Sequence, residues 1–412
     1  KLTRKSFNME QTLANTNDSQ VKNIDEFERN TVVQLGSELK NEIMQNDCEY
    51  ELAQNCNSFL AKMTDDCEES LDAVSQMEED DSLDQLQSTP LPIDFSVRPI
   101  CKLSGHVGSV LDVHIIEDYI FSSSLDGTIK QWSIQNQSFV SNFTTNNDFV
   151  MAMKSYEKTS LFATTRNEIK RWDIRSGECT ATLLGHTDDV QSLFILDNCL
   201  FSGSSDLTTM VWDLRMNLPM GSLRGHKGAI HSICAIPEND LIFTGSRDNT
   251  IRIYNSSTLS HRCTIETGHL DSLTRIIRMP REDCILSVAR DCSLKKWQIS
   301  GDQLEDELIC VDNILHLPQI HPNWITGLGV VMSEENLFPS AIITADLAGT
   351  VKVWNESFIP THSSINGFNL HSDKIRSIES RNFTNSDSSL LVTGSDDATI
   401  GLWQITASNS SK

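Results

Sequence analysis

The sequence predicts an all-β protein, a closed ring of seven four-stranded sheets, preceded by an acidic α-helical segment. Three observations carry this reading. From Arg98 onward the apolar period is two, with turn residues about every eight to twelve positions. Aromatic landmarks recur at Trp132, Trp172, Trp212, Tyr254, Trp297, Trp354 and Trp403, mostly about 40 to 43 residues apart, the length of one four-stranded propeller blade. One short segment also keeps returning: YIFSSSLDGTIKQWSI, LFSGSSDLTTMVWDL, LIFTGSRDNTIRIYN, CILSVARDCSLKKWQI and LLVTGSDDATIGLWQI.

Ahead of the repeats the pattern is different. Residues 1–22 are polar and read as disordered. Across 23–87 apolar residues fall at three- and four-residue steps, first Phe27, Val32, Leu35, Leu39 and Ile43, then Leu52, Cys56, Phe59, Met63, Cys67, Leu71, Val74 and Met77. This is a narrow stripe on an acidic helix. It suits a coiled-coil seam for self-association, or a face lying on the neighbouring domain. Residues 88–97, rich in proline, read as a linker, 98–406 as the ring and 407–412 as a tail.

The net charge of −24 excludes nucleic acid as a partner, because phosphate binding needs a Lys/Arg excess on one face. Roughly 20 acidic against 7 basic groups, a net charge of about −13, fall in residues 1–92. No run of about 18 apolar residues could insert into a membrane, and the N-terminus lacks the apolar stretch of a signal peptide. The 11 cysteines show no metal-ligand spacing and read as reduced thiols, so no metal or cofactor is expected and the location reads as cytoplasmic. The chain opens on Lys1 and reads as a piece of a longer protein.

Each returning segment carries the ingredients of a hydrolytic triad. The sets are His106, Ser122, Asp126 and Trp132; His186, Ser202, Asp206 and Trp212; His226, Thr244, Asp248 and Tyr254; His269, Ser287, Asp291 and Trp297; and His371, Thr393, Asp397 and Trp403. A hydrolase needs one nucleophile, one base and one oxyanion hole in a single pocket. Five copies round a ring cannot be that. A buried carboxylate must instead be hydrogen-bonded, and a histidine between carboxylate and hydroxyl serves both. The sixth unit keeps His321, Thr344 and Trp354 but has Ala348 where Asp is expected, and the second lacks both His and Asp. No catalytic residue is assigned, and no nucleotide-binding or protease motif occurs.

The final repeat ends at Ile405 after its third strand, and PICKLSGH supplies an orphan strand over 98–103. Pairing the two would lock the ring. SGDQLEDELICVDNILHL, ESFIPTHSSINGFNL and RNFTNSDSS read as exposed loop insertions.

The motifs LSGH, LLGH, LRGH and TGH, each with its downstream Asp and aromatic, and the dipeptides Trp172-Asp173 and Trp212-Asp213, resemble the WD-repeat family over roughly three-quarters of the chain. The resemblance implies a seven-bladed β-propeller in which each set links indole, hydroxyl, imidazole and carboxylate. Within the family, TSLFATTRNEIKRWDIRSGECTATL and HPNWITGLGVV are similar to the C-terminal tails of kinesin-four-type kinesins. That likeness implies a cargo-binding or regulatory tail, with the motor ATPase upstream and microtubule or cytoskeletal association through the whole protein. The alternative is an adaptor, such as the substrate receptor of a ubiquitin ligase or a signalling scaffold.

Either way the expected partners are proteins or peptides on a propeller face. Arg247 and Arg290, just before the turn Asp, and Trp324 of HPNWITG are the expected contact residues, on adjacent blades and one face.

Overall fold

The structure is a computed structural model. It describes residues 94–408 apart from 146–147, 280–281, 301–309, 332–340, 356, 361–367, 370 and 383–387. The segments expected at 1–22 and 23–87 therefore lie outside the described residues.

Among the described residues there are 28 strands and one short 3-10 turn, Pro237–Asn239. The strands form seven antiparallel four-stranded sheets, a simple meander in each of blades one to six. The inner strands of blades one to seven are Val110–Ile116, Val150–Tyr156, Val190–Leu196, Ile230–Ile236, Leu273–Arg278, Ile325–Val331 and Ile375–Asn382. Blade seven takes its outer strand from the other end of the chain. Asp94–Ser104 pairs antiparallel with Thr399–Ser408, from Asp94↔Ser408 to Ser104↔Thr399, with one irregularity between Pro99 and Cys101. The closing strand thus starts at Asp94, inside the expected linker, and its partner runs past the expected end at 406.

Burial explains the sequence pattern. The second strand of each blade is sandwiched between neighbouring sheets, so Leu241–Ser246, Cys284–Ala289 and Ala341–Asp346 are buried at every position. The outer strands face water along one side, and Ser138–Thr144 or His261–Glu266 bury only a single residue. That weak alternation is why part of the sequence reading fails. Cys310–Leu317, read as loop, is the outer strand of blade five, and Phe368–Asn369 is a two-residue outer strand in blade six. The RNFTNSDSS segment likewise gives Arg381 and Asn382 to one strand and Ser388 and Ser389 to the next.

The apolar core lies between blades rather than within them. Seven clusters occupy the seven junctions. Between blades four and five, for example, Phe243, Ile251 and Ile253 meet Leu273, Ile285 and Trp297. The closing strand contributes to two of them: Phe95 and Val97 pack between blades six and seven, and Leu103 packs between seven and one. An open ring would leave one junction without its second wall. Leu103 is almost fully buried. Leu103→Ala should therefore cost about 2–5 kcal/mol, read as a lowered denaturation midpoint in guanidinium; an unchanged midpoint would show that closure contributes little.

Candidate functional site

The polar residues that recur around the ring are joined as continuous hydrogen-bond chains. In blade one the Trp132 indole N–H donates to Ser122 Oγ at 2.8 Å, Ser122 Oγ lies 2.7 Å from His106 Nε2, and His106 Nδ1 lies 2.8 Å from Asp126. Blade three repeats this at 2.8, 2.8 and 2.7 Å through Trp212, Ser202, His186 and Asp206. In blade five the distances are 2.9, 2.9 and 3.2 Å through Trp297, Ser287, His269 and Asp291. Blade seven has 3.1, 2.7 and 3.2 Å through Trp403, Thr393, His371 and Asp397. In blade four His226 joins Thr244 at 2.8 Å and Asp248 at 3.0 Å, while Tyr254, lacking an indole, donates its hydroxyl to the Arg224 carbonyl at 3.1 Å.

Each imidazole bridges the second strand to the turn that follows it. The carboxylate is also held by backbone. Asp126 accepts from Val107 N and Thr128 N, and Asp206 from Thr187 N and Thr208 N. The residue after the turn Asp takes positive φ, at Gly127 (75°) and even at Leu207 (71°). Burial alone would raise the Asp126 carboxyl, but Thr128, Val107 N–H and His106 together hold it down at about 2. Burial likewise pushes the His106 and His371 imidazoles below their ordinary range, against the pull of their aspartates.

Blade six corrects the sequence reading. Its carboxylate is not missing; it stands two positions earlier. His321 Nδ1 lies 3.2 Å from the fully buried Asp346, His321 Nε2 lies 2.7 Å from Thr344, and Trp354 donates to Thr344 at 2.9 Å. In blades one, three, four, five and seven, the residue after His gives the Asp its N–H. Here that residue is Pro322, which has none. Asp346 instead takes Ala348 N and Thr350 N, both at 2.9 Å. The proline after His321 was the available signal.

Blade two has no such chain. Ala163 faces Lys170 where blade three sets Ser202 against Met210, and the Trp172 indole N–H is buried without a partner among the described residues.

One further His-centred chain was not foreseen. His114, on the inner strand of blade one, lies 2.8 Å from Glu379 of blade seven through Nδ1 and 2.8 Å from Ser155 Oγ of blade two through Nε2. Ser155 N–H also donates to His114 Nε2 at 3.2 Å, so it is not free to serve an oxyanion. Asp112 beside it accepts from Ser377 of blade seven at 2.6 Å and from Met153 N of blade two at 2.7 Å. These contacts join the blades on either side of the first.

A repeated bulge shapes the mouth of the ring. Register shifts fall just after Val110, Val150, Val190, Ile230, Leu273, Ile325 and Ile375, the first inner-strand residue of all seven blades. Such an extra residue is turned out of the ladder. In blades four to six it reaches the next blade: His231 Nδ1 donates to the Leu273 carbonyl at 2.9 Å, Thr274 Oγ1 to the Ile325 carbonyl at 2.7 Å, and Thr326 Oγ1 to the Ile375 carbonyl. In blade seven Arg376 grips Asp396 through two bonds of 2.8 and 2.7 Å.

At this mouth stand the three expected contact residues. Arg290 lies over the Trp324 ring at 4.8 Å from its centroid, across the junction of blades five and six. Trp324 is 44% exposed, so it does not pack inward. Arg247 is exposed on blade four, and its backbone N donates to the Ala229 carbonyl at 2.8 Å. No cluster of three or more metal-ligating side chains occurs among the described residues, and no helix there is long and apolar enough to cross a membrane.

Two outcomes follow. Asp346→Ala should lower stability by about 1–3 kcal/mol, and adding Ala348→Asp should not restore it, as read by denaturant unfolding; rescue would mean that the geometry of blade six is ordinary. Acid should act in two windows. Histidines held neutral in the fold favour the unfolded chain as pH falls below about 6.5, and Asp126, depressed in the fold, loses its contribution from about pH 4 down to about 2. A pH–stability curve flat from pH 7 to 4 would contradict the first.

Residues 97–133, 177–213, 217–255 and 362–404 match the family model of the WD domain, G-beta repeat. The chain is 25% identical over 347 residues to the kinesin-like protein KIF21A of Homo sapiens, covering 75% of this chain. It is 24% identical over 342 residues to KIF21B of Mus musculus, covering 74%. It spans 19% of the length of each. Among solved structures, the WD40 beta propeller domain of Doa1 superposes with a TM-score of 0.59 at 20% identity, over 75% of this chain and 96% of that one, a likeness of fold. Matched repeats, seven closed blades and hydrogen-bonded His–Asp sets agree, and the chain belongs to the WD-repeat β-propeller family.

Proposed function

We propose that this propeller is a non-catalytic protein-interaction scaffold whose contact surface is the mouth at blades four to six, and that it serves as the cargo-binding or regulatory tail of a kinesin-like motor. The observation that carries the scaffold reading is the exposed Arg290–Trp324 stack with Arg247 on the adjacent blade. Large aromatic and guanidinium groups held rigid at a surface supply contact area at little cost in side-chain freedom. A non-catalytic role is supported by repetition: the His–Asp sets serve six blades, and the single His114 chain spends its serine N–H on the imidazole. The motor reading is supported by the likeness to kinesin-like proteins. With a net charge of −24, attraction to an acidic polymer through charge alone is disfavoured.

The scaffold reading is tested by the triple variant Arg247→Ala, Arg290→Ala, Trp324→Ala of the full chain. Immobilised beside the wild type in extract of the source organism, it should lose the proteins that the wild type retains, identified by quantitative mass spectrometry, with an unchanged melting temperature. Retention of the same proteins would sink the reading. The motor reading is tested by extending the reading frame upstream, where a P-loop and long heptads should appear. A short helical recruitment module or RING cysteines would place the propeller in a ubiquitin-ligase adaptor instead.

A further inference from the structure

Among the described residues every blade ends in an outer strand that pairs on one side only, and such an edge invites pairing with another chain. Five of the seven edges carry a device against this. Blade three has Pro219 and Gly221 within Leu218–Leu223, and blade four has Arg262 and Glu266 within His261–Glu266. Blade five has Asp312 within Cys310–Leu317, blade six offers only Phe368–Asn369, and the closing strand of blade seven holds Arg98, Pro99 and Lys102. Blade two, Cys179–Leu184, has no charge, but its one exposed large apolar side chain, Leu184, stands at its end. Blade one is different. Ser138–Thr144, SFVSNFT, has no charge, proline or glycine over 7 residues, and it exposes Phe139 at 51% and Val140 at 46%. Its backbone is set for pairing. Thr145 N donates to the Gly127 carbonyl at 3.1 Å, just beyond the register Thr128↔Thr144 and Lys130↔Asn142. Bonded and unbonded pairs alternate along an antiparallel ladder, so Phe143 turns its N–H and C=O into the blade while Asn142 and Thr144 turn theirs outward.

We propose that Ser138–Thr144 is a homodimer edge: it pairs antiparallel with the same strand of a second copy, joining two blades into one continuous sheet across a two-fold axis. A second copy is the occupant that charge selects. The chain carries a net charge of −24, so two copies repel unless they meet where neither presents a carboxylate. Paired about its middle, this strand sets no like charges opposite each other. Its residue types also read alike in both directions, with Ser138 and Thr144, and Phe139 and Phe143, equidistant from Ser141. An isologous contact requires that self-complementarity. Behind the edge, Lys130 lies over the Phe139 ring at 5.3 Å from its centroid, and the Trp132 indole meets that ring edge-on at 5.8 Å. A ring already held loses little freedom on pairing. A two-fold pair closes on itself, so association stops at two copies. This edge belongs to blade one and the proposed contact surface to blades four to six, so the two readings stand or fall separately.

The test is sedimentation velocity of the full chain over a range of about 1 to 100 μM, where a monomer–dimer equilibrium should appear, because an edge contact lies at the weak end of specific interfaces. Over the same range, hydrogen exchange read by mass spectrometry should slow in the peptide spanning residues 138–145 and not in the outer strand of blade four. Asn142→Pro removes an outward N–H that no bond inside the blade uses, and Val140→Lys sets like charges close to the axis. Each should weaken dimerisation about tenfold or more with an unchanged melting temperature. Should Asn142→Pro fail to fold, Val140→Lys carries the test alone. A chain that stays monomeric, open-ended polymers, or exchange at 138–145 that ignores concentration overturns the proposal. So does a dimer that both variants leave intact, as one held through residues 23–87 would be.

Discussion

Strand Asp94–Ser104 adds to a sheet whose other three strands come from the far end of the chain, and Ser96 and Thr406, 310 residues apart, hydrogen-bond across that seam. Sheets in this protein are stable only against neighbouring sheets, because the apolar clusters fill the junctions and not the blades. Every junction therefore needs two walls, and the last pair exists only once the seam forms. Bringing such distant segments together costs chain entropy that rises slowly with loop length, while the gain arrives all at once. Closure is the constraint on which the other blades depend, and it removes the sheet edge at which an open ring would pair with another chain.

Given a closed ring, the polar chains acquire their meaning. A turn carboxylate buried near the junctions would be costly alone, so each is ringed by imidazole, hydroxyl and backbone N–H. The arrangement tolerates substitution as long as donors and acceptors still match. Tyr254 finds a carbonyl when it replaces an indole, and Asp346 moves two places when Pro322 removes an N–H. Where blade two drops the chain altogether, an indole N–H is left buried and unpartnered, yet neighbouring blades hold the sheet in place. The wall at the first blade is stitched differently, through Asp112 and His114 to blades two and seven.

Rigidity of this kind leaves recognition to side chains that the framework does not use. The repeated bulge turns one residue per blade out of the ladder, and what stands there varies: a threonine or a histidine that bonds onward to the next blade, or an ion-paired arginine. The framework is periodic and the mouth is not. That asymmetry separates residues retained for stability from residues available for a partner.

How much of this could be read in advance follows from which forces are local. The period of two, the turn residues and the recurring His–hydroxyl–Asp–aromatic spacing are local, so blade number, the orphan closing strand and most of the polar sets were legible in the sequence. Outer strands such as Cys310–Leu317 were not, because one face meets water and their alternation is weak. Asp346 was hidden because its role depends on a donor missing from Pro322, a residue on another segment. Nor could the sequence say that His231 bonds the Leu273 carbonyl, or that Arg290 lies on Trp324. Those contacts cross blade junctions, where distance is set by how the sheets pack and not by position along the chain.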